Sequence, residues 1–172
     1  MILLGLGSNL GDREQQLQQA LQKLSDNADI CIAAISNIYE TKPVGDTDQP
    51  DFLNMAAMVE TSLTPIELLK RCLSVETEMG RVRTRRWGPR IIDIDLLVYH
   101  EITAEEPELR LPHPEIANRN FVLIPLNDIA PHLQLSNGQS VGEITVARIA
   151  DAKNAVLLWK KVQWNSDEKC FV

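Results

Sequence analysis

The sequence predicts an α+β sandwich with a central, mostly antiparallel sheet and helices on its faces. Three observations carry that prediction. Strand-like and helix-like segments interleave without the regular alternation of a doubly wound fold, and at least one strand pair reads as antiparallel. The 172 residues, at 44% hydrophobic content, also suffice for one sizeable core. A single domain over residues 1–172 follows, with no internal repeat or low-complexity tract dividing it.

Ile2 to Leu6 reads as a short buried strand ended by Gly7, Ser8 and Asn9. The first helix follows from Asp12 as N-cap, Gln15 as capping-box partner, and Leu17, Ala20, Leu21 and Leu24 recurring at i, i+3, i+4 and i+7. Cys31 to Glu40 alternates loosely enough for one strand. Residues 41–52, TKPVGDTDQPDF, hold two prolines, a glycine and three aspartates without periodicity, and so long a structureless stretch in a compact chain points to function. Met55 to Thr61 reads as a strand. The second helix has Thr64 as N-cap, Pro65 at N1 and Glu67 at N3, an apolar side of Ile66, Leu69, Leu73 and Met79, and Gly80 as its stop.

Glu76 falls on or beside that apolar stripe, where an unpaired carboxylate is costly. It either pairs with a cation, for which the arginines from Arg81 onward are the nearest supply, or reaches water at the stripe's edge. Ile91 to Tyr99 is the next strand, followed by a glutamate-rich polar segment and LPHPEIANRNFVLIPL, in which Pro112 and Pro114 frame His113. Asn137-Gly138 signals a turn, Ser140 with Glu143 can cap a short helix, and Ala155 to Val162 reads as a late strand. The order of elements favours a ferredoxin-like arrangement.

Charge and cysteine usage exclude several classes of function. With 17 Lys+Arg against 24 Asp+Glu, the net charge of -7 argues against a protein that coats nucleic acid or anionic membrane, so any anion site is local. Three widely spaced cysteines, Cys31, Cys72 and Cys170, suit neither a zinc site nor a disulfide framework. The N-terminal MILLGLG run is too short for a signal-peptide core, and nothing later approaches a membrane span. A soluble cytoplasmic protein is expected.

Local positive charge occurs in RVRTRRWGPRIIDIDLLVY, which puts five arginines into residues 81–90 and then two aspartates into an apolar run. Alternation along a strand puts Ile92, Ile94 and Leu96 on one face and Asp93, Asp95 and Leu97 on the other, with the two acidic Cα atoms about 7 Å apart. Aspartates in such a setting ask for a cation or a solvated face, and hard oxygen ligands favour Mg²⁺ or Mn²⁺. Guanidinium groups just upstream would bind phosphate oxygens, so the two halves together suit metal-assisted phosphoryl chemistry. His113 and Arg119 can add donors, although a lone histidine between prolines is more often a packed loop residue. Gly5, Gly7 and Gly11 miss the dinucleotide fingerprint by one residue, and no P-loop signature occurs. Phe52, Trp87 and Phe121 sit beside polar loops, a placement that suits either stacking on a flat heterocycle or ordinary packing.

RWGPRIIDIDLL, residues 86–97, resembles the signature of the 6-hydroxymethyl-7,8-dihydropterin pyrophosphokinase family of folate biosynthesis. GSNLGD, YETKPVG, DQPDFLN, GRVR, LPHP and NRNF resemble that family's other blocks in the same order, over about residues 1–131. The resemblance implies transfer of diphosphate from ATP to the pterin hydroxymethyl group with release of AMP, by a monomer that needs neither nucleic acid nor membrane. It implies two Mg²⁺ ions on Asp93 and Asp95, Arg81 and Arg83 on a mobile catalytic loop, and an ATP site that also draws on Glu76, Arg90, Leu96, His113 and Arg119. For the pterin it implies a sandwich between Phe52 and Phe121, hydrogen bonds from Asn54, Thr41 and the backbone near Val44, and a cover from Trp87.

Some positions depart from the family pattern. Phe52 stands where tyrosine is frequent, Lys42 where proline is common and Pro114 where an aromatic hydroxyl can occur. The arginine loop is a residue shorter than in some relatives, which leaves Arg85 and Arg86 without an assigned role; Lys42 adds charge at the pocket mouth and has none assigned either. Past about residue 145 the likeness fades, and the WKKVQWNSDEKCFV tail reads as an extension without an assigned role. Two rival readings draw on the same aspartate pair and arginine run, and loop-borne aromatics and the negative net charge weigh against the second. A Mg²⁺-dependent phosphohydrolase would need a third carboxylate, for which Glu76 is the candidate. A ferredoxin-like RNA-binding module would need aromatics on its strands and a basic surface.

Overall fold

The computed structural model describes residues 1–82, 88–150 and 156–172. Strand β1 (Ile2–Ser8) pairs antiparallel with β4 (Phe52–Thr61) on one side and β5 (Asp93–Tyr99) on the other. β4 pairs along its other edge with β2 (Ile30–Ile35) and β3 (Ile38–Thr41), and β8 (Leu157–Lys160) adds to β3 as the outer strand. All these pairings are antiparallel, and the order β5-β1-β4-β3 is that of the expected ferredoxin-like sheet.

Helices α1 (Arg13–Ser25) and α2 (Pro65–Glu78) cover one face, where Ile2, Leu4, Leu6, Ile92, Ile94 and Leu96 join their apolar side chains in one core. Helices α3 (Asn120–Ile129) and α4 (Val141–Ala150) cover the other, over Leu3, Ala56, Leu97 and Val98. Both faces of the sheet are therefore largely apolar. Asp12 caps α1 by accepting from the Gln15 amide, and Thr64 and Glu67 form a reciprocal box on α2, as the sequence predicts. Gly80, at φ 85°, ends α2 in the left-handed conformation expected of its stop. Ser140 and Glu143 close the same kind of box on α4.

Four local expectations are corrected. Cys31 to Glu40 is two strands, because the buried Ser36 hydroxyl accepts from the Ala56 amide at 2.8 Å and donates to the Asn37 carbonyl at 2.7 Å, interrupting the run. The centre of the core side of α2 is Leu68, Cys72 and Val75, with Leu69 and Met79 packed at its margin; Leu73 is 38% exposed and instead lines a groove. Helix α3, unpredicted, carries Pro125 in its interior, the residue that reads as a breaker because it has no amide to donate. The late strand is Leu157–Lys160, whereas residue 155 lies outside the described residues.

The tail also proves to be part of the packing. Val162 is buried in the α1 and α2 core. Strands β9 (Trp164–Asn165) and β10 (Cys170–Phe171) pair into a hairpin, with the rings of Trp164 and Phe171 edge to face at 6.3 Å. The hairpin is tied to α1 by Phe171 N–H to Gln18 and by Gln22 to the Lys169 carbonyl. A short hairpin, β6 (Ala104–Glu105) with β7 (Arg110–Leu111), forms a separate two-stranded sheet.

Candidate active site

The site lies where β1 and β5 run side by side. Their register sets Gly5 opposite Asp95 and Gly7 opposite Asp93, so bare backbone adjoins both carboxylates. A Cβ on Gly7 would stand 2.9 Å from Asn54 Oδ1, a contact that real side chains do not make. The missing side chains leave a recess of about 20 Å³ lined by Gly5, Gly7, Asn54, Asp93, Asp95 and Phe121. Sequence reading treats these glycines as a failed nucleotide fingerprint. Their role comes from long-range pairing, which spacing along the chain does not reveal.

Asp93 is gripped by two arginines from upstream. Arg81 donates to Asp93 Oδ1 at 2.7 Å, and Arg90 donates to Oδ2 at 2.9 Å. Arg81 also pairs with Glu76 at 2.6 Å, while the other Glu76 oxygen accepts the Ile94 amide at 2.7 Å. Of the two expectations for Glu76, the cationic partner is the outcome: the carboxylate is 3% exposed and joins α2 to β5. Two acidic neighbours outweigh the effect of burial on Arg81 and hold its guanidinium firmly charged.

Asp95 has no such compensation. Burial, then the charges of Asp93 and Glu76, push its carboxyl up to about 7, against a weaker opposite pull from Arg119 and Arg90. Near neutral pH this carboxyl retains a proton in a substantial fraction of molecules. Burial and Arg119 lower His113, and its Nδ1 accepts the Glu115 amide at 3.2 Å, which leaves Nε2 as the donor nitrogen of a neutral ring.

Two clefts meet at this acidic pair. One, of about 80 Å³, is lined by Gly7, Thr41, Lys42, Val44, Phe52, Asn54, Arg90, Asp93, Arg119 and Phe121. It gathers Thr41, Val44, Phe52, Asn54 and Phe121, five residues expected to act on one substrate although 80 positions separate the first from the last. Asn54 Nδ2 donates to Thr41 Oγ1 at 2.6 Å, which fixes the amide with its oxygen toward Gly7. Arg119 lies over the Phe121 ring at 5.8 Å. The second is a groove of about 320 Å³ that takes in Glu76, Arg81, Asp93, Asp95, Leu96 and His113, with Leu69, Leu73 and Leu109 along it. Asp93 lines both. Arg83 and Trp87, and with them Arg85 and Arg86, lie outside the described residues.

The first residues of α1 and the turn before it hold the long loop between β3 and β4. Asn9, 1% exposed, donates to Gln49 Oε1 at 2.9 Å and to the Pro50 carbonyl at 3.0 Å, and its own oxygen accepts the Arg90 amide at 2.8 Å. One side chain thus ties the loop to the arginine segment. The polar character of GSN at residues 7–9 was legible; this bridging was not. Among the described residues no helix is long and apolar enough to cross a membrane.

Comparison with known proteins gives a consistent result. Residues 3–131 match the family model described as 7,8-dihydro-6-hydroxymethylpterin-pyrophosphokinase (HPPK). A 2-amino-4-hydroxy-6-hydroxymethyldihydropteridine pyrophosphokinase from Methylorubrum extorquens is 49% identical over 140 residues, covering 81% of this chain and 88% of the relative. Its namesakes from Bacillus subtilis and Haemophilus influenzae are 46% identical over 131 residues and 41% over 150, covering 76% and 87% of this chain and 78% and 93% of theirs. In fold, the chain is similar to crystal structures of Plasmodium falciparum HPPK-DHPS. The wild type with pteroate superposes with a TM-score of 0.69 at 17% identity, over 88% of this chain and 43% of that one.

Proposed function

Because the chain belongs to the 7,8-dihydro-6-hydroxymethylpterin-pyrophosphokinase family, we propose that its two clefts bring ATP and 6-hydroxymethyl-7,8-dihydropterin together at Asp93. The enzyme transfers diphosphate to the pterin hydroxymethyl group in folate biosynthesis, and AMP is the product that remains. The observation that carries the site reading is the shared wall: Asp93 lines both the smaller aromatic cleft and the larger groove, so substrates in the two meet at one carboxylate.

In the smaller cleft Phe52 and Phe121 take the pterin ring between them, Asn54 and Thr41 meet its polar edge, and Val44, 60% exposed, stands at the rim. Buried polar groups that only the right ring can satisfy reject analogues that lack its donors. In the groove Leu69, Leu73, Leu96 and Leu109 offer an apolar side to the nucleotide base. Arg81 and Arg90, which hold Asp93 in the free protein, turn to phosphate oxygens when the triphosphate arrives. His113 and Arg119 add donors, the former through Nε2. Arg83 and Trp87 are assigned to the phosphates and to the pterin cover by resemblance.

Mg²⁺ suits the acidic pair. A carboxyl that burial and two acidic neighbours keep protonated up to about pH 7 is one that a divalent cation satisfies. Asp93 and Asp95 would hold two ions, and, among the described residues, no cluster of three His, Cys, Asp or Glu competes with them. Bound there, Mg²⁺ neutralises charge on the reacting phosphates. Glu76, the third carboxylate that a phosphohydrolase would use to activate water, is turned inward onto Ile94 and Arg81 and is occupied. By resemblance to the family, the enzyme is read as a monomer acting in the cytoplasm. Incubation with ATP, Mg²⁺ and hydroxymethyl-dihydropterin should yield AMP in step with the pterin diphosphate; ADP or free phosphate as the nucleotide-derived product would refute the reading.

A further inference from the structure

The loop that carries Val44 leaves the sheet at Thr41 and returns at Phe52, which pair across β3 and β4. Arg13, the first residue of α1, closes the neck of that loop: its guanidinium pairs with Glu40 Oε2 at 2.7 Å and donates to the Asp51 carbonyl at 2.8 Å. Those two partners flank Thr41 and Phe52 directly. The guanidinium is itself covered by Trp159 of β8, with Cζ 5.0 Å from the ring centre. Trp159 is fixed in turn, since its Nε1 donates to Glu14 at 3.4 Å and Lys160 pairs with the same carboxylate at 2.6 Å. β8 hydrogen-bonds along β3, with Leu157 opposite Glu40.

We propose that Arg13 and Trp159 are positioning residues for the pterin, through which a C-terminal strand beyond the family-matched residues 3–131 sets affinity at the aromatic cleft. The inference rests on reading that cleft as the pterin site. Neither residue lines the cleft, and both act through the loop's two ends. A charged, planar group stacked on an indole has one favoured orientation, and that orientation delivers both of its bonds to the neck. Loss of either side chain leaves the loop competent for only part of the time, and the apparent affinity falls by that fraction. Chemistry at Asp93, once both substrates are seated, is untouched.

The test uses the full chain and four variants: Arg13→Gln, Trp159→Leu, their combination, and Trp159→Phe. Steady-state kinetics give kcat and both KM values. Pterin fluorescence in the presence of Mg²⁺ and a non-hydrolysable ATP analogue gives the dissociation constant. The expected result is a pterin KM and Kd raised about fivefold in each single variant, as for a loop competent about one fifth of the time. The ATP KM and kcat stay within about twofold. The combined variant should be no worse than the worse single one, because both changes break the same link. Trp159→Phe keeps a ring face over Arg13 and should bind pterin as the wild type does.

Unchanged pterin affinity in the single variants, or additive losses in the combination, would overturn the inference. So would a parallel collapse of kcat, both KM values and the melting temperature, which would make these side chains props of the fold alone. If the wild-type chain bound no pterin, the reading of the cleft itself would fall, and this inference with it.

Discussion

Replacing Asp95 by asparagine should make the metal-free protein more stable at pH 8 while ending its turnover. The carboxyl is held about three units above an ordinary aspartate, at about 7, by burial and by Asp93 and Glu76. Between those values the unfolded chain has released this proton and the folded chain has not, so wild-type stability falls as pH rises through the window, relative to a variant with no such proton. Two of the three units lie between pH 5 and pH 7, which at about 1.4 kcal/mol per unit sets a ceiling near 3 kcal/mol. Water in the open groove reduces this to about 1–2 kcal/mol. The assay is urea unfolding of wild type and Asp95→Asn in EDTA at several pH values from 5 to 8. Taking the difference between the two proteins cancels groups such as His113, whose lowered value works with the opposite sign. The variant should gain with rising pH, and Mg²⁺ with an ATP analogue should restore stability to the wild type alone. A difference that stays flat from pH 5 to 8, or a variant that loses ground at pH 8, would refute the electrostatic account.

Three further outcomes follow from geometry. Gly7→Ala places a carbon 2.9 Å from Asn54 Oδ1, and the pterin KM should rise by at least about tenfold in steady-state kinetics while ATP-analogue binding is retained. Glu76→Ala strands the Ile94 amide and leaves Arg81 paired with Asp93, and denaturant unfolding should register a loss of about 2 kcal/mol, against about 1 kcal/mol for Glu76→Gln, which keeps an acceptor. Thr64→Ala breaks the box at the start of α2 and should cost about 1 kcal/mol by the same measurement, with kcat unchanged.

The parts of this molecule that could be read in the sequence are those whose cause is local. Thr64, Pro65 and Glu67 announce a helix start because a cap is a matter of four consecutive residues. The alternation around Asp93 and Asp95 announced a shared face, and the structure keeps Ile92, Ile94 and Leu96 on the α1 and α2 side, apart from Leu97. Other features needed pairing between distant segments. That Gly5 and Gly7 adjoin the aspartates follows from strand register, and that Asn9 ties the Gln49 and Pro50 loop to Arg90 follows from the way three segments meet. Helix α3 was hidden by Pro125, whose local signal is negative and is outvoted by the packing of Val122, Leu123 and Leu126. Leu73 misled for the converse reason: its apolar side chain counts toward a core stripe, but it faces a groove.

Strand β4 is bonded on both edges at Leu53 and Asn54 and again from Ala57 to Val59, to β1 on one side and to β3 or β2 on the other. A register slip of this strand breaks ladders on both sides, so the amides of its doubly bonded stretches should be among the slowest in the chain to exchange with deuterium. Asn54 is mounted on this stiffest rail, whereas Val44 rides on a tethered arc. Inhibitors altered at the heterocycle's polar edge would therefore meet an unyielding template, while those carrying bulk toward Val44 would meet a surface that can give way. If the smaller cleft is the pterin site as proposed, chemical elaboration of a pterin mimic would find its room on that side.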